Sequence, residues 1–567
     1  MLSLLFSAIG VLGQSWIPFP TEKYTQNATL TTGSNKTMQL FWQVTDDSIE
    51  FGLASQNGQT WLGLGVSDAG GMKGADVWVG HQKDGKFALE DRYSSVPGAP
   101  ELDSSQDLTL LKSYQTGNIT GFTFTRKLST CDEKDMKISL TSPQWFIYAL
   151  GTNNEFGKHG PGDNGQILLD ISGNYFKKFS EPPQNSTVLS VIAPSFNIPQ
   201  ETTVYCYSYH EFTNLEKSHI LVEDSKISSP FVHHLVGYLC DQPLTTLKPG
   251  QLLCNHYDEA NYKVNFNNTC SRLYTTWAKG GKRKLYPSDV GKPIGKSEYN
   301  TLYMVMETHY NNPNLLQNQV DPGSGLEFTI STQLRKYDIG VVTLGTPQDT
   351  MFLAPGGYPS AVSECGPKCT TKDNAIPPSG LTVISTGLHM HKRGKSISTR
   401  HIRNDKELTK FPSMDHFDFD YQSYTYADMN VDKILPGDRL ITNCTFDTTQ
   451  DTKVVEGGWS SEQEMCYAFV EYYPAMKYFP VCEQIPDFTH INGAPSALIA
   501  MSNAMECPTS NNDSNSVVMV DAKDMPSFIA LPQTCPANGT STSPSATPSV
   551  KSNAIKAFPF ILWIMFV

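Results

Sequence analysis

Five histidines and one methionine stand out by their spacing. His389 and His391, in Leu388-His389-Met390-His391, are two residues apart. On a strand that spacing puts both imidazoles on one face, a common clip for a metal ion. Phe231-Val-His233-His234-Leu-Val holds two adjacent imidazoles, which point to opposite faces of a regular strand. They share one ion only at a strand end or bulge, or through different ring nitrogens; otherwise one belongs to the core and one to the surface. His309, in Met306-Glu-Thr-His309-Tyr310, is a single imidazole in an otherwise apolar strand and says little alone. Met465, in Ser461-Glu-Gln-Glu-Met-Cys466, offers a thioether. Thioether with imidazole selects copper, Cu(I) in particular, over zinc or magnesium.

The elements that must position these groups read as strands. Residues 36–155 alternate apolar and polar in short runs such as Met38-Gln-Leu-Phe-Trp-Gln-Val44, separated by Gly, Asp and Asn, the spacing of an antiparallel sandwich. The linker Glu181-Pro-Pro-Gln-Asn185 ends this block. A second runs from about 190 to 325, closing at Asp321-Pro-Gly-Ser-Gly325, and a third from 326 to about 510. No long helical period appears, so the expected fold is all-β. At 567 residues the chain has room for roughly three to four domains. A net charge of −13 argues against nucleic acid as a partner. Twelve cysteines, none in a CxxC pair, fit a disulfide framework better than a zinc ribbon.

The ends of the chain address the compartment. Leu2 to Leu12 is a short uncharged apolar run before Gly13, read as a secretory signal sequence at 1–13. Sequons at Asn27, Asn35, Asn118, Asn185, Asn267, Asn512 and Asn538 agree with export and glycosylation; another, at Asn443, precedes a cysteine, where attachment is poor. Residues 536–556 form a Ser/Thr/Pro-rich stalk, and 557–567 (AFPFILWIMFV) an apolar tail. Eleven helical residues cover about 16 Å, half a bilayer core, so the tail does not span. Small residues at Ser541 to Ala546, a polar spacer and the tail together match a glycosylphosphatidylinositol attachment signal. The localisation expected is the secretory pathway, extracellular, vesicular or at the cell surface.

In order along the chain, HH (233–234), HYNNP (309–313), LRKYDIG (334–340), HMH (389–391), PGDRLITNCTF (436–446) and EMC (464–466) resemble the ascorbate-dependent type II copper monooxygenases, the dopamine β-monooxygenase-like group. Residues 36–155 resemble that group's leading DOMON module, through Gly74-Ala-Asp-Val-Trp78 and Thr130-Cys-Asp-Glu-Lys-Asp135. The resemblance implies a DOMON β-sandwich followed by two jelly-roll-like copper domains. It implies that His233, His234 and His309 bind an electron-transfer copper, and that His389, His391 and Met465 bind the oxygen-activating one. Ascorbate would reduce both ions, and an activated C–H of a small organic substrate would be hydroxylated with dioxygen, the second electron crossing the gap between the second and third blocks. The alternative is a non-catalytic extracellular copper- or ligand-binding DOMON protein that kept the fold.

The same resemblance implies the bridges Cys206–Cys254, Cys240–Cys270, Cys365–Cys482, Cys444–Cys466 and Cys369–Cys507, leaving Cys131 with Cys535. It implies no disulfide-linked dimer, since no cysteine lies between 482 and 507. Leu235-Val236-Gly237-Tyr238 lacks the carboxylate that amine-hydroxylating members carry after the paired histidines, which puts a catecholamine substrate in doubt. Tyr472 and Phe469, beyond Met465 on the expected strand, are candidates for the pocket wall, Tyr472 as a catalytic group; the alternative is core packing. Glu307, on the face of His309, either orients a water or is solvated. Lys279-Gly-Gly-Lys-Arg-Lys284 reads as a solvated loop.

Overall fold

The computed structural model describes residues 16–482, apart from 59, 97, 256–268, 271, 347–350, 372–375, 409–410, 459 and 477–480. The expected signal sequence, the stalk, the apolar tail and the sequons at Asn267, Asn512 and Asn538 lie outside the described residues. Among those described, helix is confined to a 3₁₀ turn at Phe176–Lys178 and a single turn at Pro367–Thr371. The rest of the regular structure is strand, as the short alternating runs require.

Three sandwiches follow one another. The first pairs a five-stranded sheet with a six-stranded one around Phe51, Trp78, Phe122, Phe124 and Phe146. It includes Gln26–Thr31 and Asn164–Leu169, which pair onto the strands next to them and so extend the block beyond 36–155. In the second, a sheet built on Ser218–Lys226 and Gly325–Ser331 faces a sheet with Tyr303–Asn311 at its centre. Gly325–Ser331 is paired on both sides within this sandwich, and Tyr337–Asp338 joins it through Val290–Ile294. By hydrogen bonding the second sandwich therefore runs past the boundary expected at 325/326. The Asp321 to Gly325 turn links two sheets of one sandwich, and turn chemistry does not distinguish that from a domain end. The third sandwich sets a sheet centred on Leu381–His389 and Cys466–Tyr473 against a sheet centred on Arg439–Phe446.

Strand alternation puts the functional face of the last two sandwiches outside their own cores. On Tyr303–Asn311, Met304, Met306 and Tyr310 enter the second core, so Glu307 and His309 occupy the opposite face. On Cys466–Tyr473, Ala468, Val470 and Tyr472 enter the third core, leaving Tyr467, Phe469 and Glu471 on the other. These two outer faces cover each other. A buried ionic network also ties Glu471, on this face of the third sandwich, to the other sheet of the second, the one built on Ser218–Lys226. Lys292 Nζ lies 2.7 Å from Glu223 Oε1 and 2.9 Å from Glu471 Oε1. Lys284 pairs with the same Glu471, whose carboxylate also accepts from Tyr286 (2.9 Å) and Ser385 (2.8 Å). Lys284 is thus no solvated loop residue. The basic run ends inside an interface, where long-range partners neutralise it, and local composition carries no trace of them.

Disulfides Cys206–Cys254, Cys240–Cys270, Cys365–Cys482 and Cys444–Cys466 are formed. Cys131 and Cys369 are also disulfide-bonded; their expected partners, Cys535 and Cys507, lie outside the described residues. Crosslinks of this number belong to an oxidising compartment. No helix among the described residues is long and apolar enough to cross a membrane. Asn27, Asn35, Asn118 and Asn185 are exposed.

Candidate metal centre

His233 and His234 lie on the strand Val232–Leu239, beside Tyr303–Asn311. Val232 pairs with Tyr310 and His234 with His309, so the register shifts by one residue and His233 is the extra residue of a bulge. That irregularity is what adjacent histidines need to turn toward a common point. His233 Nδ1 lies 3.4 Å from His234 Nδ1, which lies 3.3 Å from His309 Nδ1. All three rings are buried. Tyr205, on the neighbouring strand, stacks flat on His309 at 4.4 Å between centroids.

Burial, reinforced by the neighbouring imidazoles, holds His234 and His309 well below the ordinary histidine pKa. Two rings kept neutral, His234 and His309, therefore bring their Nδ1 atoms together. The Nε2 atoms of His233 and His309 are buried without a hydrogen-bond partner. His234 Nε2 points toward Glu307 Oε1 at 3.6 Å. Glu307 is buried, not solvated; burial pushes its pKa up to about 7, against a hydrogen bond from Tyr207. A cation at the Nδ1 cluster relieves the lone-pair repulsion, and three imidazoles suit a borderline transition metal.

His389 ends the strand Leu381–His389 and His391 follows on the same side, with Met390 between them in the third core. Their rings are 5.2 Å apart. Here the ring nitrogens are used the other way round. His389 Nδ1 donates to Gln422 Oε1 at 2.7 Å, the amide being oriented by its Nε2 donating to the Phe419 carbonyl. His391 Nδ1 donates to the Gln463 carbonyl at 3.1 Å. Each hydrogen bond fixes the tautomer and leaves Nε2 as the ligand atom. Burial, then the nearby His234, brings His389 down to about 3. Met465 precedes the strand Cys466–Tyr473 and lines the same cavity as His389 and His391. Two devices hold it there: the Cys444–Cys466 bridge next to it, and Glu464, which accepts the backbone N–H groups of His391 (3.0 Å) and Arg393 (2.7 Å).

The two groups face one another directly. His234 and His389 have ring centroids 5.8 Å apart, so the expected gap between blocks is closed to side-chain contact. The cavity beside them is walled by Leu235, Val236, Trp277, Leu388, Tyr467 and Phe469, and Glu307 is its only carboxylate among the described residues. Tyr472 is not part of it. It is fully buried in the third core, with its ring against Gly340. Strand parity explains the correction: residues 469 and 472 differ by an odd number and cannot share a face. Gln422, Phe419 and Tyr205 were not visible as site residues, because each joins through tertiary structure and none falls in a metal-ligand pattern; Gln463 and Glu464 stand in the run before Met465, but nothing local gave them a role.

Sequence profiles of three families match in order: the DOMON domain over residues 34–151, the copper type II ascorbate-dependent monooxygenase N-terminal domain over 189–317, and its C-terminal domain over 337–491. The chain is 30% identical over 445 residues to DBH-like monooxygenase protein 1 of Homo sapiens, covering 75% of this chain and 70% of that one. It is 28% identical over 465 residues to the dopamine beta-hydroxylase of Equus caballus, covering 77% and 72%. The chain belongs to the copper type II ascorbate-dependent monooxygenase family. Its cofactors follow from that membership: copper and ascorbate. The donor sets described above fit copper, with an all-nitrogen group on one sandwich and a nitrogen–thioether group on the other.

Proposed function

We propose that this monooxygenase hydroxylates an activated C–H bond of a small, largely apolar organic substrate with dioxygen and ascorbate. His233, His234 and His309 hold one copper through Nδ1; His389 and His391, through Nε2, and Met465 hold the other. Bound copper supplies one-electron redox chemistry and, at the thioether site, dioxygen activation. The chain's own part is positional. Gln422 and the Gln463 carbonyl keep Nε2 of His389 and His391 deprotonated and aimed. Leu235, Val236, Trp277 and Phe469 make a water-poor wall beside them. Met465 offers a soft donor that favours the reduced ion. We further propose the expected secretory routing, with glycans at the exposed sequons, a lipid-anchored C-terminus and no disulfide-linked dimer. The reading rests on one observation above all: the Nδ1 atoms of His233, His234 and His309 gather at 3.4 and 3.3 Å, whereas His389 and His391 commit Nδ1 to hydrogen bonds and keep Nε2, the two groups lying 5.8 Å ring to ring beside one cavity.

The test is Met465→Ala in the copper-loaded full chain. Ascorbate-dependent oxygen uptake should fall by at least a hundredfold, while one copper per chain stays bound at the three-histidine site. A wild-type chain that binds two coppers yet consumes no oxygen with phenylethylamines, peptidylglycines or neutral benzylic compounds would instead favour the non-catalytic binding reading. Loss of both metals together in the variant would refute two independent sites.

A further inference from the structure

The segment 414–424, in the third sandwich, runs between the first sandwich and both histidine groups. Its sequence, Met414-Asp-His-Phe-Asp-Phe-Asp-Tyr-Gln-Ser-Tyr424, is rich in rings and carboxylates but forms no long strand. One side of it is gripped by the first sandwich. Asp68 Oδ2 accepts the backbone N–H groups of Asp415 (3.1 Å) and His416 (3.2 Å). Lys73 Nζ donates to the Phe417 carbonyl at 2.6 Å. Tyr93 Oη lies 2.7 Å from His416 Nε2, and Trp145 Nε1 donates to the Tyr424 carbonyl at 3.3 Å. The approach is close enough to demand glycine. A Cβ on Gly74, which has φ +71°, would lie 2.3 Å from the His416 ring, and one on Gly71 would lie 2.8 Å from Tyr421. Ala69 of the first sandwich is buried in the third sandwich's own core.

The other side of the segment reaches the metal ligands. Phe419 stacks on His233 at 4.2 Å between centroids, and its ring is 6.4 Å from that of His391. Gln422 bonds His389, and its amide is tied to the Phe419 carbonyl. A single hydrogen bond, Gln422 to Phe419, thus links a ligand of one group to a ligand of the other. We propose that the DOMON sandwich is a working part of the centre. It clamps the 414–424 strap, and Phe419 and Gln422 are positioning residues that hold His233 and His389 in their mutual orientation. The clamp stands on geometry alone; its consequence at the metal rests on the copper reading above.

The experiment uses the full chain and three variants. Lys73→Met/Tyr93→Phe removes two grips from the first sandwich without touching any metal ligand. Gln422→Leu removes the acceptor for His389, and Gln422→Glu restores one. In the copper-free chain, amide hydrogen exchange over 415–424 should rise at least tenfold in the double variant, with the strands Leu62–Ser67 and Gln144–Leu150 unchanged. In the copper-loaded chain, the Cu(II) electron paramagnetic resonance spectrum of the double variant should shift in the same sense as that of Gln422→Leu, and Gln422→Glu should return it toward wild type. Unchanged exchange over 415–424 would overturn the clamp, even if the protein proved to have no oxygenase activity. Faster exchange with an unaltered copper spectrum would overturn the positioning role. Should the double variant loosen the first sandwich itself, Gln422→Leu decides: a spectrum identical to wild type sinks the proposal.

Discussion

His389 and His391 each have Nδ1 engaged and Nε2 left over, whereas the three-histidine group gathers its Nδ1 atoms and turns Nε2 of His234 toward a carboxylate. That choice is made by single partners: a carbonyl or amide oxygen on Nδ1 in one group, a carboxylate near Nε2 of His234 in the other. Carboxylates elsewhere obey the same rule that a buried charge needs a partner. Asp91, at the end of Lys86–Tyr93, is buried with Oδ1 unpaired and Asp76 and Asp135 close by. Burial first, then those two carboxylates, pushes its pKa up to about 8. A carboxyl raised on folding contributes stability at low pH that is lost as pH rises from the ordinary carboxylate range through about 8. Asp91→Asn should therefore raise the melting temperature by about 2–4 °C at pH 8.5 in chelating buffer, on the order of 1 kcal/mol, and change it little at pH 5. Calorimetry at the two pH values checks this; an equal effect at both would refute it. Ligand residues such as His391 were legible because their spacing is itself the chemistry. Asp91 and Gln422 were not, since nothing local marks a residue whose partners arrive from distant segments.

Strand periodicity carries most of what the sequence announces at the level of elements, and the bulge marks its limit. The period of two puts His389 with His391 and separates Tyr472 from Phe469. It also forbids His233 and His234 from meeting unless the register slips, and the slip at Val232/His234 supplies that meeting. Adjacent histidines therefore pointed to a bulge or to nothing, and only the partner strand decides between them. The thioether has a different support. Met465 sits outside the strand proper, and the Cys444–Cys466 bridge ties its neighbour to Arg439–Phe446 in the opposing sheet. Replacing both cysteines by serine should destabilise the chain by about 2–4 kcal/mol. It should also weaken copper at the His389/His391/Met465 site by at least tenfold, while the three-histidine site keeps its affinity. Copper titration followed by chemical denaturation reads both. Equal weakening at the two sites would mean that the bridge serves the fold alone.

At the scale of the whole molecule, the two groups meet only if two sandwiches keep a fixed angle, and an apolar interface alone tolerates sliding. The interface here is keyed by charge. Glu471 of the third sandwich takes Lys284, Lys292 and Tyr286 of the second, with Lys292 also bound to Glu223. Burial alone would raise the Glu471 pKa, but the two ammonium groups reverse this and hold it below the usual carboxylate range. Removing one partner leaves buried charges uncompensated, so Glu471→Gln should cost about 3–5 kcal/mol. Replacing Glu223, Lys284, Lys292 and Glu471 together by methionine removes the charges as well as their desolvation, and should leave the denaturation midpoint near or above that of wild type. If the network serves orientation more than stability, that fourfold variant is stable yet slow. Oxygen uptake should fall at least tenfold, because flexible side chains no longer define one angle between His234 and His389. A fourfold variant that is stable and fully active would show that packing alone sets the approach of the two sandwiches. A wild-type midpoint in Glu471→Gln would show that water reaches the network.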